Sequence, residues 1–277
     1  MISAPVIQLA GFSVGAGQPL CVIAGPDVIE QEDFAVRHAK RLKELCDKAG
    51  VPYIFKCSFD KANRTSIRSY RGPGLTEGLR VLKRVKKEIG VPVLTDVHEI
   101  SQVEAVAEVV DVIQVPAFLC RQTDLVVAVA KTGRGVNLKK GQFVAPTAIA
   151  HQAQKAFDSG NKNVLVTERG ATFGYGNLVV DMRSFAIMKA AGLVTCFDAT
   201  HSVQLPSAGD GVTTGERHYV SLLARSAAAA GIDALFTEVH ENPDAALCDG
   251  PCSLTFELFE KTLGEVLAIR RALGMQS

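Results

Sequence analysis

Tryptophan is absent from the 277-residue chain, aromatics reach only 6%, and neither charge dominates, with 30 Lys and Arg against 29 Asp and Glu. A nucleic-acid surface wants a broad basic face with interleaved aromatics, so these shortages argue against that partner. No uncharged apolar run approaches the ~18 residues of a membrane-spanning helix. Met1-Ile2-Ser3-Ala4-Pro5 also lacks the cationic start and apolar stretch of a signal peptide. A soluble, cytoplasmic protein with no membrane partner is the expectation. Seven cysteines, at 21, 46, 57, 120, 196, 248 and 252, are odd in number and form no C-x-x-C pair. They read as small buried hydrophobes. The four-residue spacing of Cys248 and Cys252 adds a weak thiol or metal signal, too little to place either in a site.

With 47% hydrophobic residues the chain has the material for a large core. Eight short apolar runs recur: Cys21–Ala24, Tyr53–Phe55, Pro92–Thr95, Val112–Val115, Val136–Leu138, Val164–Val166, Val194–Phe197 and Ala234–Phe236. Between them lie segments with helical spacing. Asp33 to Lys48 places Phe34, Ala39, Leu42 and Leu45 on one side, and Leu75 to Ile89 does the same with Leu79, Leu82 and Val85. Strands alternating with helices imply right-handed crossovers and a parallel sheet buried on both faces, hence continuous rather than alternating apolar runs. Eight such units close a (β/α)8 barrel, an α/β fold. An open doubly wound sheet would show a glycine-rich phosphate loop after its first strand, and Ala24-Gly25-Pro26-Asp27 is not G-x-G-x-x-G. Residues 1–20 read as an N-terminal β-hairpin able to plug the barrel's N-terminal end, residues 21–277 as the barrel, and residues 256–273 as a final helix. Nothing divides the chain, so one domain spanning 1–277 is expected.

In such a barrel, function belongs at the C-terminal ends of the strands. These positions offer Asp27, Lys56, Ser58, Asp96, His98, Gln114, Lys139, Lys140, Glu168, Arg169, Asp198, His201, Glu238 and His240. Charges in one buried ring are costly unless they are paired or bind ligands. Some can be structural ion pairs, yet Lys56, Lys61, Arg64, Lys139 and Arg169 outnumber the carboxylates near them in sequence. The densest polar stretch, Lys56 to Ser66, follows the run Tyr53-Ile54-Phe55. Its Asn63-Arg64-Thr65-Ser66 combines a planar cation with hydroxyls and suits a phosphate. Two separate anionic groups are therefore implied, as two phosphorylated substrates or one bisphosphate. His201, Glu238 and Asp249 form a second set, because imidazole with carboxylates can hold a divalent metal.

These residues carry a resemblance covering almost the whole chain. Phe55-Lys56 through Arg64, Ser69-Tyr70-Arg71-Gly72, Thr95-Asp96-Val97-His98-Glu99, Pro116 through Asp124, Lys139 through Phe143, Phe173-Gly174-Tyr175 and Asp198-Ala199-Thr200-His201-Ser202 resemble the 3-deoxy-D-manno-octulosonate 8-phosphate synthases. The resemblance implies a barrel transferase condensing phosphoenolpyruvate with arabinose 5-phosphate, on the route to lipopolysaccharide. It implies Lys56, Lys61, Gln114, Ala117, Lys139 and Arg169 at phosphoenolpyruvate, and Asn63, Arg64 and Thr65 at the pentose phosphate. It also implies a homotetramer in which Arg121 reaches that phosphate from a neighbouring subunit. Lys61 and His201 are the first candidates for polarising the aldehyde and handling protons, with Asp96, His98 and Asp249 behind them. The sister DAHP synthases, acting on erythrose 4-phosphate, carry Lys-Pro-Arg where this chain has Lys61-Ala62-Asn63-Arg64. A catalytically dead phosphosugar-binding barrel would lack strand-end groups that are present here.

Position 27 departs from the pattern. The family carries Cys there in its metal-using form and Asn in its metal-free form, and this chain has Asp27. His201 through Pro206 resembles the metal-using form, whereas Cys248-Asp249-Gly250-Pro251 resembles the metal-free one. One reading makes Asp27 a helix cap, since Asp27-Val28-Ile29-Glu30 has capping-box spacing. The other places Asp27 with His201, Glu238 and Asp249 around one divalent ion (manganese, magnesium, iron or zinc), the oxygen-rich set favouring the first three over a thiolate-preferring metal.

Overall fold

The computed structural model describes residues 5–206 and 214–276. A hairpin comes first, with β1 (Val6–Leu9) antiparallel to β2 (Phe12–Gly15). Then follow β3 (Cys21–Gly25), α1 (Glu32–Ala49), β4 (Tyr53–Lys56), α2 (Leu75–Ile89), β5 (Val93–Asp96), α3 (Ile100–Val109), β6 (Val112–Val115), α4 (Thr123–Lys131), β7 (Gly135–Lys139), α5 (Ile149–Asp158) and β8 (Val164–Glu168). A short ribbon, β9 (Ala171–Thr172) and β10 (Leu178–Val179), precedes α6 (Arg183–Ala190) and β11 (Val194–Asp198). A second ribbon, β12 (Gln204–Leu205) and β13 (Thr214–Gly215), precedes α7 (Val220–Ala229), β14 (Ala234–Glu238) and α8 (Phe256–Ala272).

All eight expected apolar runs are barrel strands. Each pairs in parallel with the next in chain order, and β14 returns to β3 to close the ring. Side chains alternate across a strand, so every second residue enters the barrel. The outward set, including Val22, Phe55, Val93, Ile113, Val136, Val166, Phe197 and Leu235, joins the helices in one apolar cluster. The inward set, including Ile23, Ile54, Leu94, Val112, Leu165, Cys196 and Phe236, forms a second cluster with Ile7, Leu9 and Val14 of the hairpin. The hairpin therefore caps the N-terminal end of the barrel, as expected. Asn163 Oδ1 also accepts from Gln8 N at 3.0 Å, tying β1 to the loop before β8.

The same alternation determines where the charges go. Two residues beyond Ile54, Leu94, Val112, Cys196 and Phe236 stand Lys56, Asp96, Gln114, Asp198 and Glu238, all buried and all on the inner face. Gly25 holds the equivalent place on β3; a Cβ there would collide with the Lys56 carbonyl oxygen, so only glycine fits. Asp27 follows immediately. α1 begins after Gln31 with no side-chain cap, so the helix-cap reading of Asp27 is wrong. Its carboxylate turns into the barrel and is 3% exposed. All seven cysteines are buried. No helix among the described residues is long and apolar enough to cross a membrane.

Candidate active site

A cavity of ≈ 470 Å³ opens at the C-terminal mouth. Strand ends supply Lys56, Asp96, Gln114 and Lys139, while the adjoining loops supply Lys61, Asn63, Arg64, Thr65, His98, Ala117, Arg169, His201 and Asp249. Asp27 and Glu238 lie just beneath this lining and contact it. Arg121 is exposed and is not part of the lining of its own chain. Lys140 turns away from the cavity, donating to the Gly141 and Val144 carbonyls and pairing with Glu168 at 3.2 Å. His240 also leaves the ring, packing toward α1 at 3.2 Å from Glu30. The ring of strand-end groups is thus smaller than the sequence suggests. A strand's alternation fixes directions only while the strand continues, and these side chains sit where it ends.

The lining has two electrostatic halves. On one side Lys56 Nζ donates to Glu238 Oε1 at 3.2 Å and to the Asp27 carbonyl at 3.0 Å, and Lys61 Nζ pairs with Asp27 Oδ1. Burial disfavours the Asp27 charge, yet Lys61, Glu238 and Lys56 outweigh it and hold the carboxyl well below its usual range. Glu238 moves the opposite way: burial raises it and the neighbouring Asp27 charge raises it further. The two carboxyls are thus pushed in opposite directions, Asp27 toward the charged form and Glu238 toward the neutral one. The lysine pairing relieves the repulsion that three close carboxylates would otherwise create.

On the other side Lys139 Nζ pairs with Asp198 and sits 3.6 Å from the centroid of the Phe236 ring. Burial lowers the Lys139 pKa even so, and Asp198 offsets only part of that effect. Arg169 donates to Gln204 Oε1 and, at 3.3 Å, to the His201 carbonyl; its Nη1 has no partner among the described residues. A buried guanidinium nitrogen without an acceptor is the signature of a position completed by an anion.

His201 joins the halves. Its Nδ1 lies 2.7 Å from Asp198 Oδ2, which favours the proton on that nitrogen, while Nε2 faces Glu238, Asp249 and Asp27 at 3.4, 3.7 and 4.0 Å. Burial lowers its pKa, with Lys139 and Arg169 adding to this against the Asp198 charge. A neutral imidazole with Nε2 lone pair toward three carboxylates results. Asp27, His201, Glu238 and Asp249 each offer a ligand atom, all within 4.8 Å of one another. Both Asp27 oxygens and Glu238 Oε2 accept no well-formed hydrogen bond. This donor set fits a divalent cation, and it is a possible metal-binding group. Deeper on the neighbouring strand, Asp96 accepts from Ser58 Oγ and lies 3.1 Å from His98 Nε2. Burial works against the charge on each; their mutual contact wins, raising His98 and lowering Asp96.

The sequence offered Asp198 only as a strand-end position and gave no role to Gln204 or Cys248, yet all three complete this site. Asp198 orders both Lys139 and His201, and Gln204 joins Arg169 to Asp249 by donating to Asp249 Oδ2 at 2.6 Å. Cys248 lines the cavity, with its sulfur against Arg64. Phe236 was legible by alternation, two residues before Glu238. Gln204 and Cys248 occupy irregular loops with no such signal.

A (β/α)8 barrel whose mouth concentrates cations in two groups around one cavity defines an enzyme of anionic small molecules. The description "DAHP synthetase I family" matches residues 4–271. A curated relative from Pelobacter propionicus, named 2-dehydro-3-deoxyphosphooctonate aldolase, is 54% identical over 95% of this chain and 97% of its own. Proteins of the same name from Trichlorobacter lovleyi and a Synechococcus strain are 56% and 55% identical. They cover 90% and 95% of this chain and 91% and 93% of their own lengths. The chain belongs to the DAHP synthetase I family and, within it, to the 2-dehydro-3-deoxyphosphooctonate aldolases.

Proposed function

We propose that this protein condenses phosphoenolpyruvate with D-arabinose 5-phosphate and water, giving 3-deoxy-D-manno-octulosonate 8-phosphate and inorganic phosphate. The observation that carries the reading is the set of cations facing one cavity: Lys56, Lys61, Lys139 and Arg169 on strand ends and their loops, and Arg64 with Asn63 and Thr65 farther along the loop that bears Lys61. The first group, with Gln114 and Ala117, takes phosphoenolpyruvate; the second takes the pentose phosphate. Clamping both anions sets C3 of phosphoenolpyruvate against the aldehyde carbon, converting a bimolecular encounter into a positioned one. The C3–C1 bond forms as the aldehyde oxygen gains charge, water adds at C2, and the C2–O bond breaks to release phosphate.

Lys61 is placed to donate toward the developing alkoxide, and its pairing with Asp27 keeps it charged: burial lowers its pKa, but Asp27 and Glu238 raise it well above the usual value. His201, Asp96, His98 and Asp249 are the groups available to move protons. Asp27, His201, Glu238 and Asp249 would hold one divalent ion. When bound, such an ion balances the carboxylates and supplies Lewis-acid charge to the mouth. The hard, oxygen-rich set suits manganese, magnesium or iron over zinc. Arg121, exposed on its own chain, serves a neighbouring subunit's pentose phosphate in a cytoplasmic homotetramer.

Phosphate release from phosphoenolpyruvate, assayed separately with arabinose 5-phosphate and erythrose 4-phosphate, tests the substrate pair. Turnover with the pentose is expected; turnover with the four-carbon sugar alone would transfer the protein to the sister activity. Exhaustive chelation should lower turnover and Mn²⁺ restore it. Unchanged turnover, with no stoichiometric metal by elemental analysis, would remove the ion from the account.

A further inference from the structure

Glu30 lies outside the cavity lining, yet it joins the segments that build one side of it. Its Oε1 accepts from Leu247 N at 3.0 Å and lies 3.2 Å from His240 Nε2. The same imidazole accepts from Asn242 N through Nδ1 at 2.9 Å, so its proton sits on Nε2 and is donated to Glu30. Leu247 immediately precedes Cys248 and Asp249, and Glu30 is three residues from Asp27. One carboxylate therefore spans from the strand end bearing Asp27 to the loop bearing Asp249. Beyond β14 the loop holds a short 3-10 turn at Pro243–Ala245 and a bridge between Val239 and Leu254; Gln204, Ser253 and Arg217 hold its Asp249–Gly250 end, and Glu30 is the side chain that holds it at Leu247. Asp249 itself has a left-handed backbone, φ 49°, which is uncommon outside glycine and must be held by its surroundings.

The carbonyls of Ile29 and Glu30 carry a second connection. Tyr70 Oη donates to Ile29 O at 2.8 Å and approaches Glu30 O at 3.3 Å. Tyr70 belongs to the β4–α2 loop, which closes on itself where Lys61 N donates to Arg71 O at 2.7 Å and Arg71 grips Asp60. Lys61, Asn63, Arg64 and Thr65 all ride on that loop.

We propose that Glu30 and Tyr70 form a clasp of positioning residues: the Glu30 carboxylate places Asp249 beside Asp27, and the Tyr70 hydroxyl places the loop bearing Lys61 and Asn63-Arg64-Thr65. The proposal rests on the functional reading above. Neither residue touches substrate, and each acts through the residues it orients.

Steady-state kinetics of Glu30→Ala, Glu30→Gln and Tyr70→Phe, alongside wild type and with thermal unfolding measured in parallel, test it. Glu30→Ala is expected to lower kcat about tenfold or more while leaving the KM for phosphoenolpyruvate within about twofold, since Lys56 and Lys139 end strands and Arg169 directly follows β8. Glu30→Gln keeps the oxygen acceptor and should recover most of the loss. Tyr70→Phe removes one hydroxyl and should raise the KM for arabinose 5-phosphate several-fold, with a smaller rise for phosphoenolpyruvate, because of its four cations only Lys61 rides on that loop. Wild-type kcat in Glu30→Ala, equal loss in Glu30→Gln, or parallel rises in both KM values in Tyr70→Phe would overturn the clasp. Should Glu30→Ala not fold, the Tyr70→Phe split decides alone. A wild type that does not turn over the substrate pair would instead refute the functional reading.

Discussion

The two ends of the barrel are built from the same eight strands and do opposite things. At the N-terminal end the inward residues are apolar, mostly Ile, Leu and Val with Cys196 and Phe236, sealed by Ile7, Leu9 and Val14 of the hairpin. Toward the C-terminal end, one more inward step places Lys56, Asp96, Lys139, Asp198 and Glu238, equally hidden from solvent. The apolar end is stabilised by burial alone. The charged end spends stability, because each ion must be compensated by a partner; Asp27 has Lys61, but Arg169 Nη1 and Glu238 Oε2 lack a hydrogen bond, so compensation among the described residues is incomplete. Incomplete pairing is what leaves room for anions and a cation.

Substitutions at the two ends should separate activity from stability. The largest effect is expected for Lys61→Ala, which removes the partner of Asp27 and, in the proposed reading, an anion contact. Turnover should fall by about 10²–10³, the scale of losing one positioned electrostatic group. Near-normal kcat would remove Lys61 from the mechanism. At the opposite end Leu9→Ala should cost about 2–5 kcal/mol in denaturant unfolding, because Leu9 is fully buried and packs against Gly135. Its kcat and both KM values should stay at wild-type levels below the unfolding transition. An activity loss in Leu9→Ala without unfolding would show that the sealed end transmits strain to the mouth, erasing the division between them.

Much of this was legible in the sequence because strand periodicity is strict. Alternation located Lys56, Asp96, Gln114, Lys139 and Glu238, and the barrel's parallel closure brought them together. His201, Glu238 and Asp249 were legible as an imidazole and carboxylate set, and the family pattern at position 27 added Asp27. The capping alternative failed because the helix begins later, at Glu32, leaving Asp27 free to turn inward. Loop geometry was not legible. That Lys140 and His240 leave the ring, and that Gln204 reaches both Arg169 and Asp249, depends on backbone turns no periodicity describes.

The smallest expected effect probes how the charged end depends on pH. The His98 pKa is raised in the fold: burial opposes the cation, and the Asp96 hydrogen bond and charge overcome that opposition. Protonated His98 therefore binds the folded state better, and its contribution is fully present below the ordinary value of 6.5 and is lost as pH rises through the folded value. Asp96 has the opposite sign: its pKa is lowered from 3.8, so its contribution is present above that value and is lost as pH falls through the depressed one. Between these limits both are charged and the pair contributes most. His98→Gln should accordingly lose stability relative to wild type at pH 5 to 6, with the difference shrinking at higher pH. The Leu9→Ala penalty should stay flat over the same range, since no titrating group is removed. A flat His98→Gln profile would mean that the imidazole is neutral throughout, leaving a neutral hydrogen bond to Asp96 and one cation fewer at the mouth.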